Sequence, residues 1–213
     1  MPKTPNTAIA TEKTHYHHGN LNLALIQAAR DILEEEGLAK LSLRAAARKV
    51  GVSQAAPYHH FKDKEALLAS VAAQGHHDFN AAMEKQMNEA GEDPEQRLIA
   101  CGVAYVTFAV DNPALFRLMF GSTIEHCEQY AELTAAGARS YQTLEAAERA
   151  ALEKNGEDMS TLPLRALGSW TSVHGLATLI IDGGLDLQQL PSQNVGELTR
   201  QVLNARFASP SKN

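Results

Sequence analysis

Ser42-Leu-Arg-Ala-Ala-Ala-Arg-Lys-Val-Gly51-Val-Ser-Gln-Ala-Ala-Pro-Tyr-His-His-Phe-Lys-Asp-Lys-Glu-Ala-Leu67 reads as two short helices hinged at Gly51, followed by the start of a third. The first, Leu43 to Val50, stops at a glycine that tolerates positive φ, and the Ser53 hydroxyl is placed to cap the second. Ala46, Ala47, Val50 and Val52 are small or aliphatic where two helices must cross closely, which leaves Arg44, Gln54, Tyr58, His59 and Lys64 facing outward. That is the pattern of a helix-turn-helix, a unit that sets its second helix into the DNA major groove.

Pro57 disturbs the pattern. Four residues after Ser53, it removes the first intrahelical bond and crowds the Ser53 carbonyl, so the second helix is expected to begin irregularly or one residue late. Which of Gln54, Ala55 and Ala56 enters a groove depends on that start.

Upstream, Leu21, Leu25, Ala28, Ala29, Ile32 and Leu33 share one face of a helix from about Asn20 to Glu36, closed by Gly37. Glu34, Glu35 and Glu36 crowd its C-terminal end against the dipole and read as a solvated end turned away from DNA. Downstream, Asp63 is a candidate N-cap for a helix running toward Gly75, with another over His76 to Asn88. Asp93-Pro94 starts a helix of about 94–110, and Asp111-Asn112-Pro113 starts the short segment to Phe120. Helices follow over about Thr123–Lys154, 163–182 and Ser192–Phe207. With no alternating segment long enough for a strand, the expected fold is all-α, with about nine or ten helices.

The chain has 213 residues, 44% hydrophobic and 21% charged, an ordinary globular composition. No apolar run approaches a membrane span and the N-terminus lacks an apolar signal core, so a cytoplasmic protein without a membrane partner is expected. Cys101 and Cys127 are too few for a disulfide scaffold and lack metal-ligand spacing. The net charge of −6 divides unevenly: residues 1–75 carry +2 and five histidines, the remainder −8. A mildly basic reader attached to an acidic body would bind DNA through a limited set of phosphate contacts.

Gly51-Val52-Ser53 with Tyr58-His59-His60-Phe61 and Lys64-Glu65-Ala66-Leu67, preceded by Tyr16-His17-His18-Gly19-Asn20-Leu21, resembles the DNA-binding domain of the TetR family of transcriptional regulators over roughly residues 16–70. The resemblance implies a three-helix reader at 16–70 behind a mobile arm at 1–15, then a helical effector-binding and dimerisation domain at 71–208 and a tail at 209–213. It places Ser53, Gln54, Ala55, Ala56, Tyr58 and His59 where family members contact bases and phosphates, with Arg44 and Lys64 at phosphates. The chemistry suits those roles, since glutamine pairs with adenine, alanine meets the thymine methyl, and Arg, Lys and Tyr donate to phosphate. His17 and His18 would serve as an arm on the duplex rather than as metal ligands.

Trp170-Thr-Ser-Val-His174-Gly175 resembles the C-terminal domain of a Trp-x-x-x-His-Gly subgroup. His174 reads either as a satisfied buried histidine or as a ligand contact. Family members pair through their last two helices, which implies a homodimer on a palindromic site. Tyr105, Phe108, Phe116, Leu118, Met119, Phe120, Tyr141, Trp170 and His174 are the candidates for an apolar effector pocket, each of them also an ordinary core residue. No phosphate-cradling loop, metal set or nucleophile motif is readable, and Glu125-His126-Cys127 is no assembled site, so no enzyme, cofactor or metal is expected. The expectation is a homodimeric repressor released from its operator by a small apolar ligand; the alternative is a constitutive or architectural DNA-binding dimer without an effector.

Overall fold

Leu25, Ala28, Ala29, Ile32 and Leu33 form a stripe that is buried in helix α1, His18–Glu36, as their spacing demands. The computed structural model describes residues 18–185 and 187–207; the arm at 1–15, Tyr16, His17 and the tail at 209–213 lie outside the described residues. Helix α2, Leu43–Val50, starts on Ser42, whose hydroxyl accepts a bond from the Ala45 amide at 3.1 Å. It ends on Gly51 at φ 80°, where the Gly51 and Val52 amides both close onto the Ala47 carbonyl. Ala45, Ala46 and Ala47 are buried, letting α2 lie close against α1.

The element after the hinge is a single 3-10 turn, Ala56–His59, rather than an α-helix from Ser53. Ser53 does not cap it; the turn is led by Ala55 with no side-chain cap. The cause is Pro57, which has no N–H to return to the Ser53 carbonyl; Ala56 bonds that carbonyl instead, at 3.1 Å, in the tighter i→i+3 pattern. Asp63 caps the next helix as expected, accepting from the Ala66 amide at 2.8 Å.

That helix, α3, runs unbroken over Lys64–Glu89, across the expected stop at Gly75. Gly75 serves close approach rather than termination: a Cβ there would stand 2.8 Å from Met119 Sδ and 2.9 Å from Leu115 Cδ1. α4, Pro94–Asp111, begins on Asp93 and Pro94, is buried along nearly its whole length, and touches α3 and the four helices that follow. α5, Pro113–Phe120, turns back toward α1. The expected helix from Thr123 begins only at Ala131, as α6, Ala131–Asn155. Of residues 122–129 only Ile124 is buried, so that polar run has no apolar face to pay for helix formation. α7, Leu162–Ile181, and α8, Val195–Phe207, complete the body. Among the described residues the fold is all-α, eight α-helices and four 3-10 turns, and no single helix is long and apolar enough to cross a membrane.

Reader and body are joined by more than the shared α3. The Glu34 carboxylate, expected to be solvated, accepts from the Ala114 amide at 3.2 Å and the Leu115 amide at 2.8 Å, the first turn of α5. Arg30, one turn earlier on α1, donates to Asp78 on α3 and to Asn112 Oδ1 at 2.9 Å. A carboxylate at a helix N-terminus satisfies amides that have no intrahelical partner. Replacing Glu34 with alanine is expected to lower the unfolding free energy by about 1–2 kcal/mol. The measurement is a urea titration, in which an unchanged midpoint would show that water serves those amides equally well.

Candidate functional site

Two regions gather the chemistry. On the reader, Arg44, Arg48, Ser53, Gln54, Ala55, Tyr58 and His59 are exposed, Ala56 is half-buried and Pro57 is buried. Tyr58 stands 52% exposed. Arg44 and Arg48, one turn apart on α2, pair with no carboxylate among the described residues. Arg48 is a free cation on the outer face that the helix-turn-helix reading passed over.

The lysines divide. Lys49 is held within the reader by Glu35 at 2.8 Å and Asp31 at 3.7 Å, and the bond to Glu35 raises its pKa. Lys64 remains exposed at the start of α3, with its ammonium donating to the Leu38 carbonyl at 3.0 Å. Lys62 lies over the Tyr130 ring at 5.4 Å, so the body reaches the reader here as well. Phe61 is buried and His60 half-buried against it, as packing residues between helices. His18 opens α1.

The second region is a cavity of about 310 Å³ within the body. α3 supplies His76 and Phe79, α4 Tyr105, α5 Met119 and Phe120, α6 Gly137, Ser140, Tyr141 and Leu144, and α7 Trp170. Five of the nine expected pocket residues meet there, Tyr105, Met119, Phe120, Tyr141 and Trp170, while Leu118 is buried in the core instead. Phe116 and His174 line a neighbouring pocket of about 170 Å³ on the other side of Phe120. Phe108 packs at a tilt against Phe79, centroids 5.1 Å apart, but lines a separate groove between α3 and α4.

Hydrogen bonds tie the walls of the inner cavity together. Trp170 Nε1 donates to the Tyr105 hydroxyl at 3.2 Å, and that hydroxyl meets His174 Nδ1 at 2.9 Å. His174 is therefore partnered, one wall back from the cavity, and desolvation lowers its pKa. On the opposite side His76 Nδ1 meets Ser140 Oγ at 3.0 Å, and that hydroxyl donates on to the Ala136 carbonyl at 3.2 Å. His76, Phe79, Ser140 and Leu144 escaped the sequence reading: a helix break placed at Gly75 hid the α3 face that His76 and Phe79 share with Leu68 and Met83, and Ser140 and Leu144 come to the cavity from α6. Cys101 is buried against Met83 with its thiol pushed up to about 12 by desolvation, so it is unreactive.

No aspartate, glutamate, lysine or arginine lines the inner cavity. The nearest buried carboxylate, Glu148, is closed off by Arg165 Nε at 3.0 Å and the Ser169 hydroxyl at 2.7 Å. Burial lowers the His76 pKa from 6.5 to about 4, opposed by a bond to the Met119 backbone, so the ring is neutral at physiological pH.

Comparison with known proteins agrees with this geometry. Residues 25–71 match the family model described as bacterial regulatory proteins, tetR family, and residues 98–205 match the tetracyclin repressor-like C-terminal domain. An HTH-type transcriptional regulator of Mycobacterium tuberculosis is 29% identical over 101 residues, 47% of this chain and 43% of that protein. The chain thus matches less than half the length of the curated relatives at the head of that comparison. A solved structure of a protein of unknown function from Rhodococcus sp. RHA1 is 31% identical and superposes with a TM-score of 0.76, covering 91% of this chain and 96% of its own. A TetR family transcriptional regulator from Thermus thermophilus shares the fold at 20% identity and a TM-score of 0.64, covering 89% and 96%.

The His76 shift has a definite sign in stability. A neutral folded ring and an unfolded ring that protonates below its ordinary pKa make the contribution complete above 6.5 and lost as pH falls toward about 4. Between those limits this group should remove roughly 3 kcal/mol of unfolding free energy. Urea titrations of wild type and His76→Gln across that window should diverge in slope, with the variant flatter; parallel curves would mean His76 protonates freely in the folded chain.

Proposed function

The chain belongs to the TetR family of bacterial regulators, and on that premise we propose that it is a DNA-binding transcriptional repressor, working as a homodimer released from a palindromic operator by a small ligand. The observation that carries the reading is the pairing of an exposed cationic and aromatic reader with a largely apolar cavity in the body, joined through α5. Arg44 and Tyr58 bind phosphate, with Arg48 beside them. Gln54, Ala55 and His59 face the base edges from the short turn, whose few residues limit direct readout to a small number of base pairs. Lys64 spends one of its three N–H donors on the Leu38 carbonyl and keeps the others for phosphate. His17 and His18 are assigned to the duplex backbone beside that contact.

The dimer face is the outer side of α7 and α8. Leu164 is 76% exposed, and Leu167, Leu179 and Val202 are also open to solvent. Thr171, Gly175 and Thr178 continue the same α7 face with small side chains, and space beside Gly175 is empty. A second copy covering that stripe would hold the two readers at a fixed separation, matched to half-sites about one helical turn, ~34 Å, or a multiple apart.

Release follows from α5. Met119 and Phe120 wall the cavity at its C-terminal end, and Glu34 and Asn112 hold its N-terminal end to α1. An occupant that displaces α5 shifts the reader relative to the body, and a differential affinity of about 1–3 kcal/mol is enough to change operator occupancy. A constitutive DNA-binding dimer accounts for the reader and the α7–α8 face but leaves the cavity without a use.

On a duplex selected from a random pool, Arg44→Ala and Tyr58→Ala are each expected to weaken binding roughly tenfold, with the arginine variant also flattening the salt dependence. Equal affinity of wild type and both variants in a gel shift would remove the reader from the account. Leu167→Glu combined with Leu179→Glu should give a monomer by analytical ultracentrifugation with unchanged helical circular dichroism. A persistent dimer would place the interface elsewhere.

A further inference from the structure

We infer that the inner cavity takes a neutral one- or two-ring aromatic molecule carrying a single hydrogen-bonding group, and discriminates against carboxylates and ammonium ions of the same size. The inference rests on the reading of that cavity as the effector site.

Size sets the first bound. At about 310 Å³ the space is roughly twice that of a ~150 Å³ apolar cavity that takes up benzene. A single ring with a short substituent, or two fused rings, fills it; a long acyl chain does not.

The walls set the second. Phe79, Tyr105 and Phe120 meet edge-on or tilted, with centroids 4.8–6.0 Å apart, and Tyr141 stands edge-on to Trp170 at 5.8 Å. Such rings offer both faces and edges to an aromatic guest. The polar side chains on the lining are few: His76 and Ser140, bonded to each other where α3 and α6 meet beside Gly137, and Tyr105, Tyr141 and Trp170. On the opposite side the Tyr105 hydroxyl is already engaged by Trp170 and His174. A guest therefore finds few polar partners, those of His76, Ser140 and Tyr105 being already bonded among the walls.

Charge sets the third. An ionised guest would lose its water with no counter-ion on the lining, a cost that only pairing could offset. Glu148 is committed to Arg165 and Ser169. Arg117, at the outer pocket beyond Phe120, is committed to Asp182 at 2.6 Å and to the Ile181 carbonyl. The neutral state of His76 agrees with this bound.

Gly137 provides the control. A Cβ there would lie 3.7 Å from His76 Nε2, an ordinary contact, so a larger side chain enters the cavity without straining α6. Isothermal titration of the full chain at neutral pH with 2-naphthol and with 2-naphthoate tests the proposal. The expected result is naphthol binding at least about tenfold tighter than naphthoate, with Gly137→Leu abolishing it while melting at or above the wild-type temperature. Naphthoate binding as tightly, naphthol binding unaffected by Gly137→Leu, or no binding of either compound would each overturn it. A gel shift on the same preparation separates the two levels: DNA binding that survives any of these failures leaves the regulator reading standing, whereas its loss removes both.

Discussion

The Glu34 carboxylate on the first turn of α5 is the contact on which the rest of the arrangement depends. It reaches across from α1 to the amides of Ala114 and Leu115, while Arg30 bridges Asp78 and Asn112 beside it. The groups are partly buried, so these charge-assisted bonds are weakened less by solvent than exposed pairs would be. Without them the reader would be attached to the body chiefly through α3, and the orientation of α1 would be set by reader packing alone. With them, α5 is held at one end by the DNA-reading unit and at the other packs into the aromatic cluster of the cavity.

That geometry makes economical use of a small helix. α5 is only eight residues long, so a displacement at Phe120 is felt at Pro113 with little slack between them. Gly75 permits it: the bare backbone of α3 lets the Leu115 and Met119 side chains lie against it, where a Cβ would force them to shift. Lys62 over Tyr130 gives a second, weaker contact between reader and body, ahead of α6. The reader itself stays compact because Pro57 converts the expected recognition helix into one tight turn, which presents Tyr58 and His59 outward on a short, stiff support.

Much of this was legible in the residues, and the failures have physical causes. The α1 stripe, the Gly51 hinge, the Asp63 cap and the Asp93-Pro94 start all rest on local rules of periodicity, positive φ and capping, and the structure obeys them. Pro57 announced an irregular start, though not that the whole element would tighten to a 3-10 turn. Gly75 misled because a glycine in a helical run signals a stop when judged locally, whereas its use here is set by α5, forty residues away in the chain. The same holds for Glu34: three consecutive glutamates look like a solvated end until the α5 amides arrive to claim one of them. The cavity was half legible. Aromatic density around α5 pointed to Tyr105, Met119, Phe120, Tyr141 and Trp170, but the polar pair of His76 and Ser140 depends on α3 and α6 packing side by side, which no spacing within either helix reveals.

The central claim is that DNA reading and the cavity are coupled through the α1–α5 junction, and linkage requires that the coupling run in both directions. Amide hydrogen exchange at Ala114 and Leu115, followed by NMR with and without a selected operator duplex, tests it directly, since first-turn amides owe their protection here to Glu34. The account predicts that duplex binding changes the protection of these two amides along with those of the reader. Protection that changes in α2 and the Ala56–His59 turn but stays constant at Ala114 and Leu115 would contradict it.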